Sequence, residues 1–199
     1  MAIVDSGLRA DAGIDAVASR RFESSGGAVR AGQTGEDLPG HGTRIAQVIH
    51  SAARAPLLWV AQALDADGRS SAAAIAAAID WALAQSVQLI HLSVGLAQDR
   101  PVLARAIEAA LRGGVLIVAS SPARGAKPFP AAYAGVLAAS GDARCDAGQI
   151  SHLGTEHADF GGCPHGPGGA ATRAGGLAPR ASTCCYILLR APYAKAETS

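Results

Sequence analysis

Two residues carry the chemistry this sequence offers, an aspartate that ends a short apolar run and a histidine that opens a helix-periodic one. Ala2-Ile3-Val4 leads into Asp5-Ser6-Gly7, which places a carboxylate at the C-terminal end of a buried strand. Gly40-His41-Gly42-Thr43 precedes Arg44 to Arg54, in which Ile45, Val48, Ile49 and Ala52 recur at helical spacing, so the run buries one face and leaves His41 at its entrance. The flanking glycines allow a sharp turn and the close approach of another segment. Taken singly, Asp5 is a turn residue and His41 a helix-entrance residue. Taken together and in this order they are two members of a charge relay, in which the carboxylate orients the imidazole and the imidazole takes a proton from a nucleophile.

Other groups capable of chemistry are less well placed. Cys145, His152, His157, Cys163 and His165 form no pair at structural zinc spacing, so no metal is expected. Asp65 and Asp67 belong to a turn before a helix. His50 and His91 lie on apolar-periodic elements and are read as core or face histidines without a role.

The elements that must position Asp5 and His41 alternate. After the first strand, Leu8 to Pro39 shows no sustained period and reads as a surface excursion with a short helix near Asp11 to Ser19. Pro56 to Leu64 reads as a strand closed by the turn Asp65-Ala66-Asp67-Gly68, after which Ser70 or Ser71 can cap a helix striped by Ile75, Ile79 and Leu83. Val87 to Leu92 is a buried strand ending in Ser93-Val94-Gly95-Leu96. Pro101 starts a helix that Arg112-Gly113-Gly114 stops, and Val115 to Ala119 and Val136 to Ser140 are further strands. Such alternation predicts an α/β fold, an open parallel sheet with helices on both faces. Ligands of such sheets bind outside the carboxyl ends of the strands. Asp5, Ser93 to Gly95 and Ser120-Ser121 all fall at those ends, and His41 opens the helix after the first strand.

Composition narrows the function classes. With 199 residues, 49% hydrophobic and 17% charged, one globular domain is expected. The formal net charge is +1 with Lys and Arg dispersed, which disfavours nucleic acid and anionic membranes as partners. No apolar run approaches the roughly 18 residues of a membrane span, and no basic-then-apolar leader is evident. A cytoplasmic monomer is expected. All four cysteines lie in the last third, and a reducing compartment would keep them as thiols, so no disulfide framework is expected.

These residues resemble the subtilisin-like serine protease family. Ile3-Val4-Asp5-Ser6-Gly7 is similar to its catalytic-aspartate strand and Gly40-His41-Gly42-Thr43-Arg44-Ile45-Ala46 to its catalytic-histidine helix. Ala63 to Gly68, Ile79-Asp80-Trp81-Ala82 and Ile90 to Gly95 follow in the family's order. The resemblance covers about residues 1–162, taken as the peptidase domain, with 163–199 an atypical C-terminal segment. It implies peptide-bond hydrolysis without a cofactor, with Asp5 orienting His41, His41 as general base, and Ser93, Val94 and Gly95 lying along the substrate backbone.

Two departures stand out. Ala123 takes the place of the family's oxyanion asparagine, a loss of roughly 3–4 kcal/mol of transition-state stabilisation, so Ser121 or a backbone N–H has to substitute. The family's nucleophilic serine aligns with Gly168, in Gly166-Pro167-Gly168-Gly169-Ala170. Three explanations account for this: a non-catalytic peptide-binding relative, another serine such as Ser182, or a C-terminal stretch in the wrong reading frame. Cys163 is a further candidate nucleophile, in a loop unlike the family's site. Small size and little chain before Asp5 favour an intracellular maturation or processing endopeptidase lineage over a secreted digestive one. The alternative is an inactive peptide-binding protein.

Overall fold

The computed structural model describes residues 1–52, 56–146 and 148–163. Gly168 and Ser182 lie outside the described residues. In chain order the elements are β1 (Ala2–Asp5), β2 (Ala18–Ser25), β3 (Ala28–Gly32), α1 (His41–Ala52), β4 (Trp59–Gln62), α2 (Ala72–Ala84), β5 (Leu89–Leu92), α3 (Pro101–Arg112), β6 (Leu116–Ser120), β7 (Leu137–Gly141), β8 (Ile150–His152) and β9 (Phe160–Gly162). They build one sheet in the order β3-β2-β4-β1-β5-β6-β7-β9-β8. From β2 to β9 every neighbouring pair is parallel, and the antiparallel pairs β2–β3 and β8–β9 close the two edges.

Burial explains why the central strands read as continuous apolar runs. Each residue of β1 and β5 is buried, because helices cover both faces. On one face Ile3 packs with Ile45, Val48 and Ile49 of α1 and with Leu58. On the other, Ala2, Val4, Ile90, Leu92 and Ile117 join Ile75 and Ile79 of α2 and Leu103 and Ile107 of α3. Small alanines of α2, Ala74, Ala78 and Ala82 among them, are fully covered and let that helix lie close to the sheet. Ser71 caps α2 by accepting from Ala74 N at 3.0 Å, and Pro101 stands in the first turn of α3.

The segment from Leu8 to Pro39 differs from the sequence expectation. Residues 11–19 form no helix, and the excursion is instead the β2–β3 hairpin joined at Gly26 and Gly27, with φ of +60° and +82° as a type I′ turn requires. The reason it escapes a periodicity reading is its exposure. All five residues of β3 are exposed and β2 buries only Phe22, which meets Trp81 of α2 at a ring-centroid distance of 6.0 Å. A hairpin wet on both faces needs no apolar alternation. The three-residue strands β8 and β9 are likewise too short to show a period.

No helix among the described residues is long and apolar enough to cross a membrane.

Candidate active site

β1 delivers Asp5 to the carboxyl rim of the sheet, and α1 brings His41 to the same point from 36 residues further along the chain. His41 Nδ1 donates to Asp5, at 2.8 Å from Oδ1 and 3.0 Å from Oδ2. Gly42 makes this approach sterically feasible. A Cβ on Gly42 would stand 2.3 Å from the Gly7 carbonyl oxygen, 3.0 Å from Gly7 N and 3.2 Å from Asp5 Cβ, so the first turn of α1 rests directly on the chain leaving β1. Gly40, at φ +66°, makes the turn that points His41 inward.

Asp5 is fully buried and His41 largely so. Burial alone drives the Asp5 carboxyl upward. The His41 hydrogen bond and charge, the Ser6 N–H at 2.7 Å and the charge of His91 together outweigh it, and the carboxyl lies below the ordinary carboxylate range. Asp5 is therefore a carboxylate at neutral pH. With Nδ1 directed at Asp5, Nε2 is the imidazole nitrogen that can accept a proton from a nucleophile. His91, beside Ile3 in the β1–β5 register, is completely buried, and its Nδ1 lies 3.3 Å from the Ser93 hydroxyl. Its field reaches Asp5, a link the apolar period of β5 did not suggest.

Neighbouring strands end in a cleft of about 600 Å³, walled by Gly68, Arg69 and Ser70, by Ser93 to Leu96, and by Ser120 to Pro122. Ser93 and Val94 are buried and Gly95 is exposed. Leu96 pairs antiparallel with Phe129 through two backbone bonds of 2.7 and 2.9 Å, which braces the segment from behind. Among the described residues, neither Val94 nor Gly95 pairs its main chain with another backbone group outside the sheet ladders. Ser121 also lines the cleft, but its hydroxyl donates to the His157 carbonyl at 2.5 Å. A serine has one hydroxyl proton, so an oxyanion could receive it only after that bond breaks.

Cys163 is buried and Cys145 half-buried. Among the described residues no group of three or more His, Cys, Asp or Glu could hold a metal ion.

Sequence reasoning missed three supports. Asp37, buried, accepts from Gly40 N at 3.0 Å and Thr43 N at 2.8 Å, capping α1 from four residues ahead of His41. Gln62, at the end of β4, donates to the Ser6 carbonyl at 2.8 Å and accepts from Gly35 N at 2.8 Å, tying the segment before Asp37 to the β1 exit. The Ser6 hydroxyl joins Asp5 to Asp37. An acidic residue just ahead of an apolar-periodic run was the available signal for the cap.

The family model described as Subtilase family matches residues 1–167. The minor extracellular protease Epr of Bacillus subtilis is 33% identical over 117 residues, which are 53% of this chain and 18% of that protein. Subtilisin BL of Lederbergia lenta is 32% identical over 114 residues, 52% of this chain and 42% of that one. A thermostable alkaline protease of Halalkalibacterium halodurans is 28% identical over 139 residues, 64% of this chain and 38% of that one. The matched stretch spans less than half the length of each of these relatives.

Proposed function

The chain belongs to the subtilase family, and on that premise we propose that Asp5 and His41 are the carboxylate and general base of a peptide-hydrolysing charge relay. The observation that carries this reading is the buried 2.8 Å contact between His41 Nδ1 and Asp5 Oδ1. In the proposed mechanism Asp5 holds the imidazole in the tautomer that leaves Nε2 to take a nucleophile's proton, and its charge steadies the imidazolium that results. An extended peptide lies along Ser93, Val94 and Gly95, pairing through main-chain groups. Ser121 would need to leave the His157 carbonyl to act on an oxyanion, so a backbone N–H is the lower-energy donor. The finer role we assign is that of a cytoplasmic maturation or processing endopeptidase lineage, in which a reducing compartment would keep the cysteines as thiols.

Gly168 at the family serine's place favours a second reading, a protein that binds peptides beside an idle base. Without a triad member, this chemistry retains roughly 10³–10⁴-fold acceleration over water. Fluorophosphonate labelling of the 199-residue chain, run beside peptide binding by fluorescence anisotropy, separates the two. Peptide binding without probe uptake is the outcome of the second reading. Uptake of one equivalent that His41→Ala abolishes would establish a nucleophilic serine elsewhere and refute the inactive form, and absence of peptide binding would sink the substrate track.

A further inference from the structure

Behind Asp5 lies a second buried carboxylate whose surroundings exceed what a helix cap needs. Asp37 Oδ1 accepts from Ser6 Oγ at 2.7 Å and Gly40 N at 3.0 Å, and Oδ2 accepts from Thr43 N at 2.8 Å and Thr43 Oγ1 at 2.6 Å. The Ser6 hydroxyl also stands 3.0 Å from Asp5 Oδ1 and accepts from Gly42 N at 3.0 Å. Its single proton can serve only one carboxylate at a time, and the shorter contact is to Asp37. Thr43 Oγ1 in turn accepts from Arg9 N at 2.9 Å, so the same cluster anchors the chain leaving β1.

We propose that Asp37, acting through the Ser6 hydroxyl, is a positioning residue that holds the Asp5–His41 pair in register and keeps the negative charge of Asp5 available to the imidazole. A neutral Asn, Ser or Thr caps a helix about as well as Asp, and burying a second carboxylate near the first costs free energy that a cap alone does not recover. What the carboxylate adds is competition for the Ser6 proton. While Asp37 holds that proton, Asp5 Oδ1 is left to Ser6 N–H and His41 Nδ1. Among the described residues, His91 on β5 acts on Asp5, Asp37 faces the pair through Ser6, and Arg9 feels the charges of Asp37 and Glu36. The inference rests on the relay reading only for its consequence in catalysis, because its geometry and its test involve no substrate.

The test is NMR titration of the His41 imidazole in the full chain, with His41→Ala to assign the signal, alongside thermal melting. Asp37→Asn removes a nearby negative charge and returns the Ser6 proton to Asp5, and both changes weaken the hold on the imidazolium. His41 should lose about threefold or more in proton affinity. Ser6→Ala removes the hydroxyl that links Asp37 to the pair and accepts from Gly42 N, and should likewise move the His41 titration to lower pH. Asp37→Glu, which keeps the charge, should restore most of the wild-type midpoint. If Asp37→Asn lowers the melting temperature but leaves the His41 midpoint in place, Asp37 is a cap and the proposal fails. Should Asp37→Asn not fold, Ser6→Ala decides, since an unmoved or raised midpoint there also overturns the coupling. Neither probe uptake nor peptide affinity enters these readouts, so they stand or fall apart from the proposed function.

Discussion

Replacing Gly42 by alanine should destabilise the protein and separate the relay, although helix propensity alone favours alanine over glycine by about 1 kcal/mol. The added Cβ would lie 2.3 Å from Gly7 O and 3.2 Å from Asp5 Cβ. These are backbone atoms or side-chain roots, so no rotamer change relieves the clash. Reaching ordinary contact requires α1 and the β1 exit to part by about 1 Å, and overpacking of this kind costs roughly 1–3 kcal/mol. The same displacement lengthens the 2.8 Å His41–Asp5 and 3.0 Å Gly42 N–Ser6 Oγ bonds beyond useful range. A charge-assisted bond contributes about 1.5–3 kcal/mol. After the propensity gain, the net loss is roughly 2–5 kcal/mol. For a protein of this size that lowers the melting temperature by about 4–20 °C. Calorimetry gives the stability and the His41 NMR titration reports the pair. A melting temperature equal to or above that of the parent, with the His41 titration unchanged, would refute the packing argument.

Acid should expose the Asp5 contribution. Because the folded carboxyl sits below its ordinary value of 3.8, the pair stabilises fully above that value and loses its contribution as pH falls through the folded one, so Asp5→Asn should flatten the acid limb of urea-unfolding stability. Asp142, held low by hydrogen bonds from Arg144 and Ser151, contributes to the same limb and should leave a remainder; an acid limb identical in Asp5→Asn and parent would contradict the sign. Gly95→Val would bring a Cβ to 3.3 Å from Pro128 and crowd the exposed backbone, so peptide affinity by anisotropy should fall about tenfold or more. Unchanged affinity would remove Gly95 from the substrate track. Ser71→Ala should cost α2 about 1 kcal/mol in chemical unfolding through loss of the bond to Ala74 N, and a change within 0.3 kcal/mol would show the cap to be idle.

Much of the framework was legible in the sequence because its signals are local. The apolar strands ending at Asp5, Leu92 and Ser120, the capped α2 stripe and Pro101 at the head of α3 each follow from burial period or terminal chemistry within about ten residues. Parallel order then sends those strand ends to one rim, which is why Asp5, His41 and Ser93 to Gly95 could be named together. The tertiary structure alone decided the distances. Asp5 and His41 meet at 2.8 Å because Gly42 seats α1 on Gly7, and although the glycines allow a close approach, neither segment by itself specifies which partner it meets. The β2–β3 hairpin stayed hidden because a strand pair exposed on both faces carries no hydrophobic period. Asp37 looked like any loop acid, since a cap's local signature does not reveal that its second partner, Ser6, comes from 31 residues away. Periodicity records which face of an element is buried, whereas a buried polar network is set by the few long-range contacts that satisfy each donor and acceptor, and those exist only once the sheet has assembled.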